Sequence, residues 1–153
     1  MNEYMKIAKE LSEESIRTHE GGPFGACIVK DGIVVGRGRN MVFKNNDPTA
    51  HAEVMAIRNA CSNLGTYDLT GCELYTSCYP CPMCLSATIW SNMKKVYYGN
   101  TKEDAADIGF RDDYIYEFIK GSGEEALDLK MLDRDETIKT FKAFTEDESR
   151  TIY

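Results

Sequence analysis

Histidine is the scarcest reactive side chain in this sequence: there are two, His19 and His51. Two imidazoles cannot build a three-histidine zinc site, and their spacing excludes a His-Glu-x-x-His metalloprotease helix. Positive charge is also short. Lys and Arg together number 18 against 25 Asp and Glu, a formal net charge of −7. Proteins that track nucleic-acid phosphates normally present a basic face, so this balance argues against nucleic acid as a partner. No apolar run approaches the ~18 residues of a membrane helix. The opening stretch, Met1 to Lys6, has no apolar secretory core. There is no Gly-Lys-Ser/Thr phosphate loop, and Gly36-Arg37-Gly38 lacks the third glycine of a dinucleotide loop.

The remainder is ordinary for a globular chain. It has 153 residues, 42% hydrophobic and 28% charged, enough to bury a core without disulfide or metal scaffolding. No repeat or linker interrupts it, and a single domain over 1–153 is expected. The six cysteines could be read as a disulfide framework. Without an export signal the thiols are expected to stay reduced in the cytoplasm, where clustered cysteines point to metal or catalysis.

Spacing of apolar residues predicts a helix over the first 20 residues, with Tyr4, Ala8 and Leu11 on one face, ended by Gly21-Gly22-Pro23. Two apolar runs flank Asp31-Gly32, a hairpin signal. A helix is expected over 50–61 with Thr49 as its N-cap, then a strand at 73–77, a helix over 81–91 opened by Pro82, and a strand at 95–98. Further on, helices are expected near 113–120 and 134–146, separated by a Gly121-Ser122-Gly123 break and a strand near 127–132. The order implies an α/β fold, a three-layer α/β/α sandwich.

Chemistry concentrates in His51-Ala52-Glu53 and, after 26 intervening residues, Pro80-Cys81-Pro82-Met83-Cys84. Cys81 and Cys84 are three apart at a helix start, so both sulfurs can face one point, and the free N–H groups there favour thiolates. His51 opens the other helix. Two helix starts that meet would offer one imidazole and two thiolates, a donor set suited to zinc with one position left open. Zinc with two thiolates and a neutral histidine carries no net charge, and such zinc lowers the pKa of water toward about 7. Glu53 projects differently from His51 and is placed to act as the base, taking a proton and delivering it to a ring nitrogen and a leaving amine. His-x-Glu with Pro-Cys-x-x-Cys is the zinc-deaminase signature.

Two other readings use the same residues. Cys-Pro-Met-Cys after a strand also describes a redox dithiol. That reading leaves His-Ala-Glu unused, and no proline follows Pro82 to serve as the usual cis-proline. Alternatively, Cys78 joins His51, Cys81 and Cys84 in a closed, purely structural zinc site of an interaction domain. Elsewhere Cys27, Cys61, Cys72 and Trp90 are expected in the core, His19 at a helix end, and Asp112-Asp113 in a solvated loop. Asn40 is expected to bond a turn backbone.

Longer stretches carry a resemblance. Gly21-Gly22-Pro23-Phe24-Gly25-Ala26, Asn46 through Glu53, Tyr75-Thr76-Ser77-Cys78 leading into Pro80 through Leu85, Gly109-Phe110, Asp112, Ile115-Tyr116 and the terminal Tyr153 resemble bacterial guanine deaminases of the cytidine-deaminase-like fold. The resemblance implies a mixed sheet of about five strands, one zinc per chain held by His51, Cys81 and Cys84, and Glu53 as proton shuttle. It also implies a purine held by Asn40, Asp112 and Phe24, and a homodimer whose exchanged C-terminal segment brings Tyr153 to the neighbouring site. Guanine would be hydrolysed at C2 to xanthine and ammonia. Tyr79 departs from the family, which usually has Glu there, and the last eight residues resemble it only at Tyr153. The nearest rival functions are tRNA adenosine deaminase and cytosine or cytidine deaminase.

Overall fold

A computed structural model describes residues 1–110, 112–122 and 126–153. Helix α1 (Glu3–Arg17) starts where the Asn2 side chain accepts hydrogen bonds from the Tyr4 and Met5 amides. It ends at Thr18, followed by the exposed His19 in the left-handed region. Strands β1 (Gly25–Lys30) and β2 (Ile33–Arg39) form the expected hairpin. Asp31 and Gly32 both take positive φ, the conformation a two-residue turn of matching twist requires.

A single turn, α2 (Val42–Asn45), leads to helix α3 (Ala52–Leu64), then β3 (Cys72–Cys78), α4 (Pro82–Trp90) and β4 (Lys95–Asn100). The sheet order is β2-β1-β3-β4, antiparallel except for the parallel β3–β4 pair. Alternation along β1 divides the core. Cys27 and Val29 face α1 with Tyr75, while Ala26 and Ile28 meet Ala52, Ala56 and Ala60 of α3. Helix α4 packs beside α3, completing the α/β/α layering.

Glycine sets the depth of α3. A Cβ at Gly38 would overlap the Ala52 carbonyl and the Ala56 amide nitrogen, and one at Gly36 would lie 2.6 Å from the Ala56 oxygen. Gly36-Arg37-Gly38 is therefore a bare strand face on which α3 rests, not a phosphate loop.

Three expectations change. Among the described residues the sheet has four strands, and 126–133 forms neither helix nor strand. The alternating Leu127, Leu129 and Met131 read as a strand, but all three side chains are exposed. Thr49 does not cap α3: its hydroxyl bonds Asp47 at 2.6 Å and the cap position falls to His51. Trp90 is exposed at the end of α4, and Cys61 is half-buried. The chain continues through α5 (Lys102–Asp107), α6 (Asp113–Lys120) and α7 (Arg134–Glu146). Gly121 ends α6 at positive φ, while Gly123 lies outside the described residues. Among the described residues no helix is long and apolar enough to cross a membrane.

Candidate metal centre and pocket

His51 is the N-cap of α3 and Cys81 the N-cap of α4, both in extended backbone and neither using its side chain to cap. Pro82 follows at a first-turn position where its missing N–H costs nothing. The turns of β3 into α4 and of 47–50 into α3 bring the two caps together. His51 Nδ1 lies 3.5 Å from Cys81 Sγ and 3.6 Å from Cys84 Sγ, and all three atoms fall within 4.8 Å of one another.

These separations match a metal of known preference. Tetrahedral bonds of ~2.0–2.1 Å to nitrogen and ~2.3 Å to sulfur place the two donors about 3.6 Å apart. The donor set fits Zn²⁺, and the chain has one such site among the described residues. Cys78 stays outside the group: its thiol points to the Thr101 carbonyl at 3.6 Å, and burial pushes it up to about 11. The closed four-ligand site is thus not formed.

The site draws one thiol down and pushes its neighbours up. Cys81 is drawn down to about 4, first by the hydrogen bond from the Cys84 thiol and then by His51. Cys84, as donor in that bond and buried, is pushed up. His51 is raised chiefly by its hydrogen bond to Cys81. Glu53, 6% exposed, is raised by desolvation. Its Oε1 accepts from Thr76 Oγ1 at 3.1 Å and its Oε2 lies 3.3 Å from Cys84 Sγ.

A pocket opens over this centre, lined by His51, Glu53 and Cys81 on its floor and Phe24, Asn40, Phe110 and Asp112 around it. Asn40 is 4% exposed. Its Oδ1 accepts from the Val42 amide at 3.2 Å, and its Nδ2 has no partner among the described residues. Gly21 allows this, since a Cβ there would strike Asn40. Asp112 is the N-cap of α6 but makes no capping bond, and burial raises its carboxyl. Phe24 meets Phe110 edge-on at 4.9 Å.

The structure therefore gathers seven of the eight residues singled out from sequence. It does not bring Tyr153 to this chain's pocket; Tyr153 packs against Trp90 and Tyr67, centroids 5.8 and 6.2 Å apart. Sequence reasoning missed Thr76, Phe110 and Ala105 as site residues. Thr76 left a faint signal, a hydroxyl on the strand that leads to the cysteines.

Comparison with known proteins follows the same residues. Residues 1–100 match the family model described as the cytidine and deoxycytidylate deaminase zinc-binding region. The chain is 52% identical over 122 residues to a guanine deaminase of Bacillus subtilis, covering 80% of this chain and 78% of that one. It is 43% identical over 97 residues to a tRNA-specific adenosine deaminase of Aquifex aeolicus, 62% of each. The crystal structure of guanine deaminase from Bacillus subtilis superposes with a TM-score of 0.93 at 45% identity, covering 100% of this chain and 99% of that one.

Proposed function

Because the chain belongs to the zinc-dependent deaminase family defined by the cytidine and deoxycytidylate deaminase zinc-binding region, we propose that it hydrolyses guanine to xanthine and ammonia. The observation that carries the substrate is a pair lining the pocket, the Asp112 carboxylate and the Asn40 amide nitrogen, neither of which has a hydrogen-bond partner among the described residues. Guanine offers N–H donors at N1 and the 2-amino group and acceptors at O6, N3 and N7. A free acceptor and a free donor, with the Phe24 ring beside them, answer that pattern. Among the described lining residues there is no Lys or Arg, which suits a neutral base better than a phosphorylated nucleotide.

His51, Cys81 and Cys84 hold the metal and Glu53 moves the protons. Bound zinc supplies Lewis-acid activation of water. Asp112 and Asn40 orient the purine so that C2 faces the floor. Glu53, its Oε1 fixed by Thr76, takes one proton from the attacking water and passes it to N3. The second water proton leaves with the amine as the C2–N bond breaks and C2 keeps the oxygen. Burial of Glu53 raises its carboxyl toward the range in which it can both accept and return a proton.

The working enzyme is a homodimer of one-domain chains in which Tyr153 reaches the neighbouring site. Supporting this are the apolar side chains of the C-terminal third, Leu129, Met131 and Phe141, which stay exposed among the described residues. Six free thiols, two of them metal ligands, suit the reducing cytoplasm.

Ammonia release from guanine, guanosine, cytosine, cytidine, adenine and a tRNA anticodon stem tests the substrate. Guanine is expected to turn over fastest. Turnover of the tRNA alone would replace this reading with that of the adenosine deaminases.

A further inference from the structure

We infer that Lys102 is a positioning residue for the reaction: its ammonium group, clasped between the rings of Tyr79 and Tyr116, latches the wall carrying Phe110 and Asp112 onto the metal-binding turn. The inference rests on the pocket being the substrate site.

That wall has little core of its own. Helix α5 buries only Ala105, and α6 buries no residue. Among the described residues its direct ties to the rest of the chain are few. The Cys78 thiol points to the Thr101 carbonyl at 3.6 Å, Phe110 touches Phe24, and the Tyr116 hydroxyl donates to the Pro80 carbonyl at 3.1 Å. Against that background the ammonium of Lys102 sits 4.5 Å from the Tyr79 ring centroid and 4.4 Å from that of Tyr116. Both distances lie well inside cation–π range. Lys102 has no ion pair among the described residues, although Glu103 and Asp104 follow it in sequence.

The three partners belong to three separate pieces of the site. Tyr79 lines the pocket and stands two residues before Cys81; its ring is braced edge-on by Tyr98 at 5.0 Å. Lys102 begins α5, whose start is closed by a reciprocal Thr101–Asp104 capping box. Tyr116 lies four residues after Asp112, so both project from one side of α6. Holding the Tyr116 ring therefore holds the first turn of α6, and with it the place of Asp112 at the pocket. A glutamate at position 79 would offer Lys102 a charge but no ring face, so the tyrosine and the lysine form a unit.

Lys102→Met keeps the stem and removes the cation. Its KM for guanine is expected to rise about tenfold, with kcat changed much less and zinc content unchanged. Lys102→Arg, whose guanidinium also stacks on aromatic faces, is expected to restore KM. Tyr79→Leu should raise KM similarly, and the double variant should be no worse than either single one. Amide hydrogen exchange over 101–120 should quicken in Lys102→Met and not elsewhere, a readout independent of any substrate. Unchanged KM and unchanged exchange in Lys102→Met, or fully additive Tyr79 and Lys102 effects, would overturn the latch. Quickened exchange in a protein whose wild type ignores guanine would keep the latch and discard the guanine reading.

Discussion

Glu53→Gln is the substitution that separates chemistry from architecture. Glu53 is 6% exposed and its two polar contacts run to Thr76 and Cys84. Glutamine has the same shape: its carbonyl still accepts from Thr76, and its amide can donate to the Cys84 sulfur. The fold should lose at most about 1 kcal/mol, a Tm shift of roughly 2–4 °C for a chain of this length. What the amide cannot do is exchange a proton. General acid–base catalysis contributes typically 10²–10⁴-fold, so the barrier should rise by about 3–5 kcal/mol. The assay is ammonia release under saturating guanine, run beside metal analysis and a thermal melt. The expected result is one zinc per chain, a near-native melt and turnover down at least a hundredfold, the lower bound of that range. Turnover within about tenfold of wild type, with zinc retained, would refute the role of Glu53 as proton carrier.

Other perturbations read other parts of the molecule. Cys78→Ser should keep both zinc and turnover because its sulfur faces Thr101, whereas Cys81→Ser should lose zinc; metal analysis of the purified variants decides. Glu20 is held down to about 2 by hydrogen bonds from Arg39 and Lys44. A depressed carboxyl stabilises the fold fully above its unfolded value of 4.5 and loses that contribution as pH falls through about 2. Wild type and Glu20→Gln should therefore differ in urea midpoint at pH 6 and converge as pH approaches about 2. Gly38→Ala should cost about 1–3 kcal/mol by lifting α3 from the sheet, seen as a lower urea midpoint together with slower turnover.

Sequence reasoning reached far into the site because its grammar is local. His51-x-Glu53 and Cys81-x-x-Cys84 each occupy one helix start, and turn chemistry at Asp31-Gly32 and Pro82 fixes where the neighbouring elements begin. Long-range facts were harder to see. Nothing about Thr76 alone says that its hydroxyl will meet Glu53, 23 residues away in sequence. Helix α3 begins later than Thr49 suggested, because that hydroxyl found the Asp47 carboxylate first. The segment near 127–132 alternates like a strand, but alternation specifies a face to bury and not the partner that buries it. Gly36 and Gly38 were legible as glycines; only the packed helix reveals what they make room for.

The residues that open α3 and α4 have surrendered the usual duty of their position. Serine, threonine or aspartate there would tie off loose amides at each helix start, while His51 and Cys81 aim their side chains across the gap. An ion held by these side chains would fasten the two helix starts to each other, which separate caps could not do. Stripping the metal should loosen both first turns at once, Glu53 among them, so that losing the cofactor and losing the proton carrier become a single event.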